Sequence, residues 1–327
     1  MLLSQTVINN YLKILVLALL LAPLVLFSAC QSTSSVPPAN VEPATPTTAD
    51  PATAVATTIV DGLGRTVTIK SSPQRIVSLA PNLTEMVFAV GQGQKLVGVT
   101  NYCDYPEAAR QITAIGDTLH PDIEKIITLK PDLVLVSTAS QLEQPTAKLT
   151  ALGIAVFVVK TDSLAAVLQA LETIGQLTQA QLVSRQLVTK LRARLAALTQ
   201  KVQGLPRPKV FLVVGIDPLI TAGQNNFITD LIELAGGESI SKEVVAEWPT
   251  YSVETVVAQA PEIIILPAMQ PGETPLLPDS LKTTPAVQKQ HTYSINGDLL
   301  FRPGPRLLDG LEVLVNLFHP TNNPNAQ

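Results

Sequence analysis

A fifteen-residue helix-to-strand unit occurs twice in this chain, and the duplication narrows the folds open to it. The first copy runs Asp122-Ile-Glu-Lys-Ile-Ile-Thr-Leu-Lys-Pro-Asp-Leu-Val-Leu-Val136, the second Ser252-Val-Glu-Thr-Val-Val-Ala-Gln-Ala-Pro-Glu-Ile-Ile-Ile-Leu266. Few letters coincide, yet each position keeps its physical role. Asp122 or Ser252 offers a side-chain oxygen to cap a helix. Glu124 or Glu254 stands in the first turn, and an apolar stripe follows. Pro131 or Pro261 stops the helix, and an acid leads into a strand of buried type. Upstream, Asn226-Phe-Ile-Thr-Asp-Leu-Ile-Glu-Leu-Ala-Gly-Gly237 echoes Asn82-Leu-Thr-Glu-Met-Val-Phe-Ala-Val-Gly91, one inserted residue bringing Gly236 onto Gly91. Two units in the same order predict two similar α/β lobes, each with one acidic point at a helix start.

The segments around these units support that plan. Thr58 to Ile69 reads as two short strands around an Asp-Gly turn. Arg75 to Leu79, Leu96 to Thr100 and Ala155 to Val159 read as strands. Helices are expected from Pro81 to about Gly91 and from about Gln141 to Leu152. Alternation with short connections is the signature of a parallel sheet covered by helices. From Leu164 to Val202 the pattern is helical only. Val183, Leu187, Leu191, Leu195, Leu198 and Val202 recur at three- and four-residue steps. Arg185, Lys190, Arg192, Arg194 and Lys201 lie between them and are expected to form a solvated face. Gly204 and Pro206 end this helix. The second lobe then repeats the plan, with strands at Lys209 to Gly215 and Thr292 to Ile295 and a last helix from Pro305 to Phe318. The fold expected is two Rossmann-like α/β lobes, residues 58–162 and 208–327, joined by connecting helices over 163–207 that include one long backbone helix. A strut of that kind predicts small lobe movement.

The N-terminus reads as an export signal over residues 1–29. Lys13 precedes the apolar run Ile14 to Phe27, and Ser28-Ala29 places small residues before Cys30. That run is short for a membrane span, which needs about 20 residues. The stretch Leu26-Phe-Ser-Ala-Cys30 resembles a bacterial lipobox, which implies lipidation of Cys30. Residues 30–57 are expected to form a tether, almost all Ser, Thr, Pro, Ala and Val after Cys30, a composition that cannot bury a core. Cys103 is left as the other cysteine, with no intramolecular disulfide if Cys30 carries lipid. The net charge is -4, only 15% of residues are charged, and no basic run occurs, so nucleic-acid binding has no footprint here.

Five motifs in order carry a resemblance. They are Arg75-Ile-Val-Ser-Leu-Ala-Pro-Asn-Leu-Thr-Glu85, Asn101-Tyr-Cys-Asp-Tyr-Pro106, Asp122-Ile-Glu124 to Lys130-Pro-Asp132, Trp248-Pro-Thr-Tyr-Ser-Val-Glu254 and Phe301-Arg-Pro-Gly-Pro-Arg306. Together they resemble the substrate-binding proteins of vitamin B12 and iron-siderophore ABC importers, nearest to the cobalamin-binding members. The likeness spans about residues 58 to 320. It implies the helical-backbone type of two-lobed fold, with ligand held between the lobes. It also implies that Glu124 and Glu254 dock on arginine pockets of a permease dimer served by ATPase subunits. A glutamate in a first helical turn is stabilised by the helix dipole by about 0.3–1 kcal/mol whatever its role. Two at one repeat position favour docking.

The ligand residues implied are Tyr102, Trp248 and the run Asp298, Leu299, Leu300, Phe301 and Arg302. Aromatic rings suit a large flat macrocycle because they give wide apolar contact at low entropic cost. Where the cobalamin-binding pattern has a tryptophan six residues before the first docking glutamate, this chain has Thr118, followed by Leu119 and His120. That leaves a cobalt corrinoid, a ferric siderophore and haem all open as ligand. Arg302 and Arg306 would suit the anionic candidates, and His120 would suit a cobalt or iron centre.

No catalytic pattern stands against this. His120, His291 and His319 fall in no metal-ligand spacing, and neither a nucleophile elbow nor a Gly-rich phosphate loop occurs. The expectation is a monomeric, lipid-anchored extracytoplasmic binding protein without a cofactor of its own. A tethered cell-surface enzyme and a pure interaction module are the rivals from other classes.

Overall fold

Alternate residues of two central strands enter different cores, and that arrangement organises the molecule. A computed structural model describes residues 56–138, 142–268, 273 and 277–320. The export signal, Cys30 and most of the tether lie outside the described residues. In the first lobe the strands are β3 (Ile76–Ser78), β4 (Leu96–Val99), β5 (Leu133–Ser137) and β6 (Ala155–Val159). They form a parallel sheet in the order β4-β3-β5-β6. It is preceded by a hairpin of β1 (Thr57–Val60) and β2 (Thr66–Ile69). In the second lobe β7 (Lys209–Leu212), β10 (Glu238–Ser239), β11 (Ile263–Ala268) and β12 (Thr292–Asn296) form a parallel sheet in the order β10-β7-β11-β12. Between β7 and β10 lies a small hairpin of β8 (Gly215–Ile216) and β9 (Leu219–Ile220). Ranked along each lobe, both four-stranded orders read second, first, third, fourth.

The helices are α1 (Pro81–Ala89), α2 (Ile123–Thr128), α3 (Glu143–Ala151), α4 (Leu164–Leu177), α5 (Gln181–Val202), α6 (Phe227–Leu234), α7 (Val253–Gln259), α8 (Pro285–Gln288), α9 (Asp298–Phe301) and α10 (Leu307–Phe318). Among the described residues no helix is long and apolar enough to cross a membrane.

The sequence duplication extends to backbone detail. Asp122 caps α2 by accepting from Lys125 N at 3.0 Å, and Ser252 caps α7 by accepting from Thr255 N at 3.1 Å. Such a cap contributes about 1 kcal/mol. Lys130 and Ala260, each just before the stopping proline, both adopt left-handed backbone, with φ of 46° and 52°. The acid after each proline then pins the start of the neighbouring strand. Asp132 Oδ2 accepts from Arg75 N at 2.9 Å, and Glu262 Oε1 accepts from Lys209 N at 3.2 Å. The basic side chains complete the match: Arg75 donates to Leu129 O at 2.7 Å and Lys209 to Gln259 O at 3.3 Å, each meeting carbonyls at a helix C-terminus.

Both faces of each sheet are covered, as parallel sheets require. Leu133 and Leu135 of β5 face a core shared with Ile263 and Ile265 of β11, and Val188, Leu191 and Leu198 of α5 join it. Val134 and Val136 enter a second core within the first lobe, and Ile264 and Leu266 a third within the second. One continuous apolar cluster thus runs through both lobes and the connecting helices.

The 22-residue helix α5 spans about 33 Å at 1.5 Å per residue. Its ion pairs reach both sides, from Arg192 to Glu172 of α4 at 3.3 Å and from Arg194 to Asp309 and Glu312 of α10 at 2.5 Å each. Its first turns correct the expected stripe. Val183 is exposed, while Ser184 and Val188 are buried. The reason is close packing: a Cβ at Gly175 would lie 2.1 Å from Ser184 Oγ, so α4 and α5 approach through two small residues. The expected Asp-Gly turn is also wider than a two-residue one. Residues 61–65 form the loop, closed by Asp61 accepting from Leu63 N at 3.0 Å, Arg65 N at 2.9 Å and Arg65 Nη2 at 2.6 Å.

Candidate functional site

The two lobes meet through charged side chains that the motifs deliver from opposite ends of the chain. Glu85 sits on α1, a helix otherwise made of small, apolar and uncharged polar residues, and it is almost fully buried. A buried acid requires a partner, and here the partner comes from the other lobe. Arg306 Nε donates to Glu85 Oε2 at 2.9 Å and Nη2 to Oε1 at 2.6 Å, a bidentate pair. Arg302 Nη1 stands 3.6 Å from the same carboxylate and donates to Asp104 Oδ1 at 2.6 Å. Arg302 Nε reaches Asp298 at 2.8 Å within its own lobe. Nearby, Asn82 Nδ2 donates to Pro303 O at 3.2 Å across the seam.

Charge states follow from this geometry. Burial would raise the Asp104 carboxyl, but the bond and charge of Arg302, a backbone hydrogen bond and the charge of Arg110 together hold it below its ordinary value. Burial raises Asp298; Arg302 opposes the rise and Asp104 adds to it. Burial would lower Arg306, yet its bonds to Glu85 raise it. Three acids therefore surround Arg302, with Asp104 at 2.6 Å, Asp298 at 2.8 Å and Glu85 at 3.6 Å.

The loop carrying Tyr102 is tied down from beneath. Cys103 is buried, taking a bond from Thr84 Oγ1 at 3.2 Å and lying 3.2 Å from Thr100 Oγ1. Burial pushes its thiol up, so it stays protonated and acts as a peg. On either side, Tyr102 is 58% exposed and Asp104 reaches Arg302. Tyr105 lies against Arg306, with the guanidinium carbon 4.0 Å from the ring centroid.

From the second lobe, Trp248 is 40% exposed and tilts against Phe301 with ring centroids 6.2 Å apart. Its loop is anchored where Glu247 O accepts from Gly223 N and Asn226 Nδ2, both at 3.0 Å. The expected ligand run 298–302 folds as the short helix α9 and its cap. The helical turn leaves Asp298, Leu299 and Phe301 partly exposed and buries Leu300 completely in the shared core. Leu300 is thereby removed from the expected ligand contacts. Arg302 is largely enclosed and engaged by three acids.

The segment around Thr118 forms a tight loop. Gly116 has φ of 101°, and a Cβ there would lie 2.8 Å from His120 O. Asp117 Oδ1 accepts from Leu119 N at 2.7 Å and His120 N at 2.6 Å, and these two bonds depress its carboxyl. Leu119 and His120 are left exposed, with His120 Nδ1 3.4 Å from Asp117.

Glu124 and Glu254 both project from first helical turns into solvent. Glu124, 79% exposed at the side chain, pairs with Lys148 at 2.8 Å. An exposed pair of this kind contributes about 0–1 kcal/mol and does not hold the carboxylate back. Glu254 has no ion-pair partner among the described residues. Among those residues, too, no group of three or more His, Cys, Asp and Glu side chains is placed to hold a metal ion.

Glu85 and Asp104 are the seam residues that sequence reasoning passed over. A lone acid on an uncharged helix was the available signal for Glu85.

Two α/β lobes tied by one long connecting helix, with a charged seam between them, have the architecture of a two-lobed binding protein. Residues 76–297 match the family described as periplasmic binding protein. The chain is 30% identical over 254 residues to the vitamin B12-binding protein of Vibrio vulnificus strain YJ016, covering 77% of this chain and 93% of that one. It is 31% identical over 270 residues to YvrC of Bacillus subtilis strain 168, described as an uncharacterized ABC transporter substrate-binding lipoprotein, covering 80% and 85%. Among solved structures, the periplasmic vitamin B12 binding protein BtuF of Vibrio cholerae superposes with a TM-score of 0.69 at 29% identity, covering 76% and 97%. The apo periplasmic heme-binding protein RhuT from Roseiflexus sp. RS-1 gives 0.65 at 25% identity, covering 75% and 97%. The chain belongs to the periplasmic binding protein family.

Proposed function

We propose that this protein captures a corrinoid of the cobalamin type at the seam between its lobes and delivers it to an ABC permease. The observation that carries the reading is that each lobe leaves an aromatic ring exposed next to a seam residue, Tyr102 in the loop of Asp104 and Trp248 against Phe301, the neighbour of Arg302. Flat apolar surfaces flanking a few fixed polar groups suit a macrocycle rimmed with amides. The likeness to the Vibrio proteins named for vitamin B12 supports the same ligand.

Delivery would rest on Glu124 and Glu254, one exposed carboxylate per lobe at equivalent helix starts. Two related anionic points fit two related cationic sites on a dimeric permease, where charge complementarity fixes orientation. Cys30 would carry the lipid that holds the body at the outer face of a membrane, with the residues after it as tether. Cys30→Ser would release the protein from membrane fractions.

A haem or ferric-chelate ligand is the second reading, favoured by the exposed His120 and by the likeness to RhuT. Calorimetric titration of the purified protein with cyanocobalamin, hemin and a ferric siderophore separates the readings. Tight binding of an iron chelate with no response to cyanocobalamin rejects the corrinoid.

A further inference from the structure

At the seam Glu85, Asp104 and Asp298 surround Arg302 and Arg306, while Arg110, at the exposed rim, pairs with Glu107 at 3.2 Å and lies 3.7 Å from Asp104. We infer that Glu85 is a specificity-determining residue. By binding Arg306 and approaching Arg302, it leaves neither of these two enclosed guanidinium groups free for an anion and turns the site toward ligands rimmed with uncharged amides. The inference rests on the reading of the seam as the ligand site.

A guanidinium fork is the group best shaped to bind a carboxylate in two places. Here the fork of Arg306 is filled by Glu85, through bonds of 2.9 and 2.6 Å. Arg302 is divided between Asp104 and Asp298, at 2.6 and 2.8 Å. A ligand carboxylate would have to displace a buried acid and leave it without its partner. It would also meet Asp104 and Asp298, whose side chains remain 36% and 27% exposed. An amide meets the same groups as a hydrogen-bonding neighbour and displaces nothing. The rival account, in which the cluster only fastens the lobes together, predicts no change in charge preference when Glu85 is neutralised.

The test uses a pair of probes differing only in charge: cyanocobalamin and the monocarboxylate made by hydrolysing one of its side-chain amides. Each is titrated, alongside hemin, into the full-length protein and its Glu85→Gln and Asp298→Asn variants. The wild-type protein is expected to bind cyanocobalamin about tenfold more tightly than the monocarboxylate, a difference calorimetry resolves. Glu85→Gln should bring that ratio near unity and tighten hemin about tenfold. Asp298→Asn leaves the Glu85–Arg306 pair intact, so it also serves if Glu85→Gln does not fold; it should shift the ratio the same way by about threefold. An unchanged ratio in the folded variants overturns the inference. Should the wild type bind hemin and not cyanocobalamin, the corrinoid reading fails. The charge inference is then decided by hemin alone: it stands if neutralisation tightens hemin and falls if it does not. Binding of none of the three probes overturns both.

Discussion

Arg306 of the second lobe grips Glu85 of the first through two parallel hydrogen bonds, 221 residues apart in sequence. The pair is nearly enclosed, so removing one partner strands a charge in a poorly solvated place. Glu85→Ala or Arg306→Ala should each cost about 3–5 kcal/mol. The double variant should cost clearly less than the sum, because it removes both charges together. Urea unfolding of the four proteins measures the coupling, and strict additivity would show that the contact contributes nothing specific.

Transport should depend on two carboxylates that ligand binding ignores. Ala at both Glu124 and Glu254 is expected to abolish stimulation of the permease's ATPase by the loaded protein while ligand affinity stays unchanged. Lys148→Ala removes only an exposed pair with Glu124 and should alter stability by less than about 1 kcal/mol. Unaltered ATPase stimulation in the double variant would remove these glutamates from the docking face.

Acid sensitivity has a local source in the first hairpin. Burial would raise the Asp61 carboxyl, but the Arg65 side chain and the backbone donors Arg65 and Leu63 bring it below its ordinary value. A folded value below the unfolded one gives stability that is complete above the unfolded pKa of about 3.9 and is lost as pH falls through the folded value. Asp61→Asn should therefore lower stability at neutral pH and flatten its decline on acidification. Asp298 has the opposite sign, since its folded value is raised. Its ionisation costs stability near neutrality, and that cost fades as pH drops below the folded value.

Close approach of α4 and α5 depends on Gly175. Valine there would drive side-chain atoms into Ser184, with an overpacking cost of about 1–3 kcal/mol. Paired with Ser184→Gly, the loss should be partly recovered. Thermal denaturation reads both, and an equal loss with and without the second change would place the strain elsewhere.

Lobe movement should be small, because one apolar cluster runs through both lobes and the helices between them. Solution scattering profiles with and without cyanocobalamin are expected to superimpose. A marked compaction on binding would contradict the strut.

Much of this architecture is legible in the sequence because it is set locally. Ile263 to Leu266 and Leu133 to Val136 are apolar at every position, which a strand tolerates only when both its faces are buried. The capping residues and stopping prolines mark α2 and α7 for the same reason. The seam is less legible because its bonds are long-range. Nothing adjacent to Glu85 points to Arg306, and nothing near Asp104 points to Arg302. Leu300 shows a subtler limit: its motif marks a ligand-contacting run, but one turn of helix sends every residue in a different direction. Val183 fails similarly, since hydrophobicity cannot announce that a glycine opposite will draw Ser184 inward.

A macrocycle held at this seam would rest beside Trp248, the chain's only tryptophan. Titration with cyanocobalamin while following tryptophan emission tests it most directly. Saturable quenching is predicted, with the same midpoint in the Glu124→Ala/Glu254→Ala variant. Unchanged emission across the titration, together with no heat of binding, would contradict capture of a corrinoid at this seam.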